Sequence, residues 1–212
     1  MKMSNRTKVC AAAMAVTAVA AGAVTASLPA AVASTTACGT WCTSPYVGSQ
    51  GTGEALTVSG NNVVMETAST TNTAQDWTVE SENTVSNDAE FGVISDKWAM
   101  NFGSSDIYEF QYAPRGADSG LCMGVASAAA DNTAVTLQAC GVTADTLWIV
   151  DSAGVSGGYL PLINGSDTNF STPYVLEAGS SATSALVTYT LQATNGILAT
   201  SQMWNAELGD LP

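Results

Sequence analysis

Beyond residue 33 the chain consists of short apolar runs, most of them alternating with polar residues and each ended by a turn signal. They are Ala55-Leu56-Thr57-Val58, Asn62-Val63-Val64-Met65, Asp76-Trp77-Thr78-Val79, Ala134-Val135-Thr136-Leu137, Leu147-Trp148-Ile149-Val150, Tyr174-Val175-Leu176 and Ala185-Leu186-Val187-Thr188-Tyr189. Gly, Ser, Asn and Asp separate them, as in Ser59-Gly60-Asn61, Asn164-Gly165 and Asn195-Gly196. The two-residue period buries one face of an extended strand, whereas an amphipathic helix needs apolar residues three and four apart, and almost no stretch here has them. Ser127–Asn132 is Ala-rich and reads as a loop. Elements this short bury a core only when many of them pair, so the pattern predicts an all-β sandwich or barrel.

Three tryptophans recur in a similar context: Gln75-Asp76-Trp77, Thr146-Leu147-Trp148 and Gln202-Met203-Trp204. Each follows two β runs joined by a turn. Trp77 and Trp148 are 71 residues apart and Trp148 and Trp204 are 56 apart, which places an insertion around Ser81–Gly103 in the first interval. Recurrence of a motif marks an internally repeated fold, and the uneven intervals make this repeat a weak one that three chance tryptophans would also give.

Charge and targeting narrow the function. Lys2, Arg6 and Lys8 precede an uncharged, Ala- and Val-rich stretch that Pro29 interrupts, and Ala31-Val32-Ala33 has the small residues of a cleavage site. Residues 1–33 therefore read as a secretory signal peptide and 34–212 as one domain, with the composition pointing to a bacterial, extracellular protein. A membrane anchor is disfavoured because the run is rich in Ala, Thr and Gly rather than Leu and Ile. The part beyond residue 33 has two basic residues, Lys97 and Arg115, against 18 acidic ones, a formal charge of −16. It has no means of replacing phosphate counterions, so neither nucleic acid nor an anionic membrane is an expected partner. With no histidine anywhere in the sequence, Ser-His-Asp and Cys-His catalysis and His-ligated metal sites are excluded.

Cys10 belongs to the signal, leaving Cys38, Cys42, Cys122 and Cys140. An even number in an oxidising compartment reads as two disulfides with three possible pairings, of which Cys38–Cys42 with Cys122–Cys140 is the local one. A four-cysteine zinc site needs closely spaced ligand pairs, and this spacing fits it poorly. Asp167-Thr168-Asn169 gathers oxygen ligands without calcium-loop spacing and reads as a turn. No cofactor or metal is expected.

The Gln-x-Trp endings, with Gly120-Leu121-Cys122-Met123-Gly124-Val125 and Val135-Thr136-Leu137-Gln138-Ala139-Cys140 leading to Trp148, resemble the ricin-B-type lectin β-trefoil. Thr146 departs from the pattern, standing where the middle repeat should have Gln. The resemblance implies twelve strands in three lobes, an insertion between lobes one and two, a Cys122–Cys140 disulfide within the middle lobe, and Trp77, Trp148 and Trp204 meeting near the core. It also implies carbohydrate binding.

Such a site needs a carboxylate and amides for the sugar hydroxyls, and an aromatic ring for the C–H face. On the family's pattern the acid, aromatic and amide positions read Thr57, Met65 and Ala74-Gln75 in the first lobe. They read Gly124, Gln138 and Asp145-Thr146 in the second. In the third they read Glu177, Thr188 or Tyr189, and Ser201-Gln202. No lobe has the full set, and the third comes closest with Glu177, Tyr189 and Gln202. Gln75 and Gln202 also have a purely structural reading, satisfying buried backbone groups beside the tryptophans. Trp41, Trp98 and Tyr112 are further aromatic candidates, the last two in or near the insertion. Many acids without a local pair give no glycosidase signature, so the expectation is a non-catalytic, secreted glycan-binding protein. The alternative is a trefoil without a sugar site that binds another protein, for instance through an insertion spanning Phe91–Tyr112.

Overall fold

The computed structural model describes residues 41–43, 54–69, 71–150, 160–179 and 184–206. The signal segment, Cys38 and the Cys38–Cys42 pairing lie outside what is described. Among the described residues, no helix is long and apolar enough to cross a membrane.

Twelve strands form one sheet that closes on itself. The first lobe supplies β1 (Trp41–Thr43), β2 (Glu54–Ser59), β3 (Asn62–Thr67) and β4 (Trp77–Thr84). The second supplies β5 (Asp106–Tyr112), β6 (Leu121–Val125), β7 (Thr133–Ala139) and β8 (Leu147–Val150). The third supplies β9 (Leu162–Asn164), β10 (Tyr174–Glu177) and β11 (Val187–Thr190), and ends, after a two-stranded hairpin of β12 (Ala193–Thr194) and β13 (Ile197–Leu198), in β14 (Trp204–Ala206).

The pairing has threefold logic. The last strand of each lobe pairs with the first strand of the next: β4 with β5, β8 with β9, and β14 with β1. The middle strands of each lobe form the hairpins β2–β3, β6–β7 and β10–β11. These hairpins meet at one end, where β7 pairs with both β3 and β11, and Val64 bridges Ala185. This is a β-trefoil, as the family resemblance implies.

The tryptophans show why three unequal segments fold alike. Trp77, Trp148 and Trp204 each donate their indole Nε1–H to the carbonyl of the apolar residue on the facing hairpin, Leu56, Met123 and Leu176, at 3.0, 3.0 and 2.9 Å. A buried indole needs an acceptor, and the same acceptor recurs in each lobe. Trp148 and Trp204 are fully buried in the central core with Leu56, Met65, Phe110, Met123, Leu137 and Leu176, and Trp77 packs against it. Cys122 and Cys140 are joined, tying the two ends of the β6–β7 hairpin.

The insertion holds the main departure from expectation, because it contains two helices: α1 (Val85–Glu90) and α2 (Asp96–Phe102). Thr84 and Ser95 cap them through their hydroxyls, supplying acceptors for otherwise unpaired backbone N–H groups. The helices build a second core on the outside of the barrel, in which Val85, Ala89, Ile94 and Trp98 pack on Ile107, Leu147, Ile149, Ile163 and Val175. Trp98 is wholly buried, donates Nε1–H to the Asp167 carbonyl, and meets Phe170 edge-on at 4.8 Å. It is an anchor of the scaffold and not an exposed contact residue. Tyr112 belongs to the barrel strand β5 and packs on Trp77 at 5.9 Å, so the insertion ends before it.

Candidate functional site

The register of the three hairpins fixes which positions correspond. Leu56 pairs with Met65, Met123 with Leu137, and Leu176 with Thr188, so the next residues, Thr57, Gly124 and Glu177, occupy one equivalent position. On the returning strand the equivalent outward residues are Glu66, Gln138 and Tyr189. Met65 is therefore not the first lobe's aromatic position: it is 2% exposed and faces the core. Thr188 is excluded likewise, being fully buried with its hydroxyl donated to the Ala130 carbonyl at 2.7 Å. Tyr189, half-buried, is the residue that shares a face with Glu177.

In the first lobe Gln75 is consumed by the scaffold. Its Oε1 accepts from the Ser69 backbone N–H at 2.8 Å, and its Nε2 donates to the Thr67 carbonyl and to the Thr57 hydroxyl, at 3.1 and 2.9 Å. Thr57 passes its own proton to the Ala55 carbonyl and is 1% exposed. The acid position holds Thr57 and no carboxylate, and the amide and hydroxyl groups there are already paired.

The second lobe is closed by its own backbone. A Cβ on Gly124 would lie 2.6 Å from the Asp145 carbonyl oxygen, so no side chain of any kind fits the acid position. Thr146, the residue in place of Gln, donates its hydroxyl to Glu109 at 2.6 Å. Glu109 in turn accepts from the backbone N–H groups of Gly141 and Val142, both at 3.2 Å. A buried carboxylate from β5 thus performs the task that Gln75 performs in the first lobe. The sequence gives no local sign of it, since Glu109 and Thr146 are 37 residues apart. Glu109 also lies beside Cys122 and Cys140, where three ligand atoms fall within 4.8 Å of one another. With the cysteines joined and the carboxylate engaged by three donors, those atoms are committed to the scaffold.

The third lobe keeps its polar groups together and partly open. Gln202 is fully buried, accepts from the Gln192 backbone N–H at 2.8 Å, and donates to the Thr190 carbonyl at 3.0 Å. The same Nε2 group donates to Glu177 Oε2 at 3.1 Å. Ser201 lies 3.5 Å from the other carboxylate oxygen. Glu177 is half-buried, and Tyr189 is its diagonal neighbour on the same face of the hairpin, about 7–8 Å away for such a pair and somewhat less at Cβ. Val175 and Leu191, which flank Tyr189 on that face, are packed into the second core, so the insertion's core ends where this site begins.

Asp167 is 1% exposed and its carboxylate is filled by backbone donors, Asn169 N at 2.6 Å and Tyr174 N at 2.7 Å. It closes a turn, as the sequence suggests. Burial raises its pKa above the ordinary carboxylate value, and the backbone donors oppose that shift.

Neither a protein-family model nor a curated protein matches the chain. Among solved structures it is similar to ThreeFoil, a designed three-fold symmetric protein, with a TM-score of 0.52 and 15% identity. The match covers 79% of this chain and 96% of ThreeFoil. At that identity the similarity speaks for the threefold architecture and for nothing about ligands.

Proposed function

We propose that this protein is a secreted, non-catalytic carbohydrate-binding protein of lectin-like kind that recognises a polysaccharide or cell-wall glycan through its third lobe. The observation that carries the reading is the Gln202 Nε2 to Glu177 Oε2 hydrogen bond at 3.1 Å. It orients a half-buried carboxylate by a fully buried amide, and a carboxylate's roughly four lone-pair sites exceed the two protein donors near Glu177, which leaves acceptor capacity for sugar hydroxyls. Tyr189 supplies an apolar ring for the C–H face of the pyranose. The other two lobes lack an acid at the equivalent position. A Cys122–Cys140 disulfide fits an extracellular protein, and the formal charge of −16 beyond residue 33 favours neutral over acidic glycans.

The test is retention of the oxidised protein on insoluble xylan, chitin, cellulose and peptidoglycan, with soluble sugars as competitors. Sugar-reversible retention that Glu177→Ala abolishes, with an unchanged melting temperature, supports the reading. Retention unaffected by Glu177→Ala defeats it.

A second reading is a trefoil that binds another protein through the insertion. It is favoured by Phe91 and Met100, which are 69% and 83% exposed on that segment. It requires a complex that survives competing sugar and is lost in a Phe91→Ser, Met100→Ser variant.

A further inference from the structure

Among the described residues, the third lobe has an element its siblings lack. Five residues separate β3 from the 3-10 turn Thr73–Gln75 in the first lobe, whereas nine separate β11 from the corresponding turn Thr200–Gln202. The extra length forms the β12–β13 hairpin, in which Ala193 pairs with Leu198 and Thr194 with Ile197. Its two-residue loop, Asn195-Gly196, has positive φ at both positions, 54° and 79°. That is the geometry an Asn-Gly loop adopts readily and whose twist matches the flanking strands.

The hairpin lines a solvent-open cavity of about 330 Å³ formed by Gln192, Thr194, Asn195, Ile197, Leu198 and Ala199, of which the first four are exposed. That volume lies at the small end of ligand pockets. Two of the lining residues are tied to the candidate sugar site. Gln192 donates its backbone N–H to Gln202 Oε1 at 2.8 Å, and the Ala199 carbonyl accepts from the Gln202 N–H at 3.0 Å. Gln202 is the residue that holds Glu177. The cavity and the acid are thus on opposite sides of a single buried amide.

We infer that the β12–β13 cavity is a second saccharide subsite, adjoining the Glu177 site and taking the next unit of a neutral glycan chain. The inference rests on the glycan-binding reading and adds to it that the ligand is an oligosaccharide and not a monosaccharide. The lining carries it. Two amides and a hydroxyl (Gln192, Asn195, Thr194) stand beside aliphatic carbon (Ile197, Leu198, Ala199), with no charged group among them. A pyranose presents hydroxyls at its rim and C–H groups on its faces, so such a lining suits an uncharged sugar unit. Ile197, 56% exposed on this hairpin, is the apolar surface the sugar would cover. Without an aromatic platform the subsite adds modest affinity, and it extends binding instead of creating it.

The experiment measures affinity by titration calorimetry for the mono- and tetrasaccharides of the cello-, xylo-, chito- and galacto- series. The proteins are the wild type, Ile197→Ser, Ile197→Trp and Glu177→Ala. The expected result is a tetrasaccharide bound about tenfold more tightly than its monosaccharide, a difference of about 1.4 kcal/mol. Ile197→Ser reduces that ratio to about threefold or less and leaves monosaccharide affinity unchanged. Ile197→Trp raises the ratio by adding a stacking surface, and Glu177→Ala removes binding of both lengths. A ratio unchanged in both Ile197 variants overturns the inference while leaving the Glu177 site standing. Equal loss of both lengths in Ile197→Ser also overturns it, because the hairpin then belongs to the primary site. Failure of the wild type to bind any of these sugars defeats the glycan reading itself, and the subsite with it.

Discussion

The Thr146 hydroxyl donates to the Glu109 carboxylate at 2.6 Å, and together the two residues stand where each of the other lobes has one glutamine. The correspondence is atom by atom. Gln75 Oε1 accepts from Ser69, Gln202 Oε1 from Gln192, and Glu109 Oε1 from Gly141, in each case the backbone N–H two residues past the end of the hairpin's second strand. The fold thus demands an acceptor at this point beneath each hairpin, and the sequence meets the demand in two different ways.

Glu109→Ala removes that acceptor from the N–H groups of Gly141 and Val142 and leaves the Thr146 hydroxyl with the Thr143 carbonyl, 3.2 Å away, in a site where Glu109 itself is 5% exposed. An unpaired buried polar group costs about 1–3 kcal/mol, and because Gly141 is open to water a loss of about 1–2 kcal/mol is expected from urea unfolding. Glu109→Gln keeps a carbonyl oxygen in place and is expected to lose less than half as much. Equal losses in the two variants would show that the carboxylate's charge, and not its acceptor geometry, is what the lobe requires.

Gly124 gives a prediction about which lobes can ever bind sugar. A Cβ there meets the Asp145 carbonyl at 2.6 Å and the Thr146 methyl at 3.1 Å. The backbone oxygen cannot withdraw, because it accepts the Val125 N–H at 3.1 Å. Gly124→Ala is therefore expected to destabilise by about 1–3 kcal/mol, as overpacking does. Gly124→Asp, designed to restore the missing acid, is expected to destabilise further without adding sugar affinity. A folded Gly124→Asp protein with new binding would refute the claim that the second lobe is closed.

Much of the trefoil is legible because its demands are local. Alternation marks the strands, Ser59-Gly60-Asn61 and Asn195-Gly196 mark hairpin loops, and the tryptophans recur because each lobe buries one indole against one carbonyl. The helices of the insertion escaped that reading because they are six and seven residues long. A signal was present nonetheless: Ile94, Trp98 and Phe102 are four residues apart, with Ser95 as a cap. The site is only half legible. Glu177 and Gln202 occupy positions a repeat alignment supplies, but choosing Tyr189 over Thr188 needs the strand register. Glu109 answers a vacancy made 37 residues away.

The Cys122–Cys140 bridge closes a loop with a sequence separation of 18 around the β6–β7 hairpin. On a loop-entropy account it contributes roughly 3 kcal/mol. Replacing both cysteines by alanine is expected to lower stability by about that amount and to leave third-lobe glycan binding unchanged at temperatures where the protein is folded. Loss of binding in a folded double variant would mean that the lobes are coupled more tightly than their separate hydrogen-bond sets suggest.

The insertion carries a titrating weakness. Asp88 on α1 is 4% exposed, and its Oδ2 has no hydrogen-bond partner. Burial raises its pKa above 3.8, and the hydrogen bond from Asn83 offsets only part of that shift. Because the folded-state value is the higher one, the folded protein retains this proton at pH values where the unfolded chain has released it. The favourable contribution is complete below about pH 3.8 and disappears as pH rises through the folded-state pKa. As pH rises through that pKa, Asp88 becomes a buried charge on α1 with one oxygen unpaired, beside the second core. Asp88→Asn keeps the shape and removes the ionisation. It is expected to raise the melting temperature at pH 7, to change it little at pH 3.5, and to flatten the decline between them. Asp167, whose pKa is also raised by burial, serves as the contrast. Its two oxygens accept from Asn169 and Tyr174, so Asp167→Asn loses an acceptor and is expected to destabilise at pH 7, and less at pH 3.5, where Asp167 itself carries a proton. A melting temperature for Asp88→Asn that falls at pH 7 would show that the Asn83 contact outweighs the cost of the unpaired oxygen.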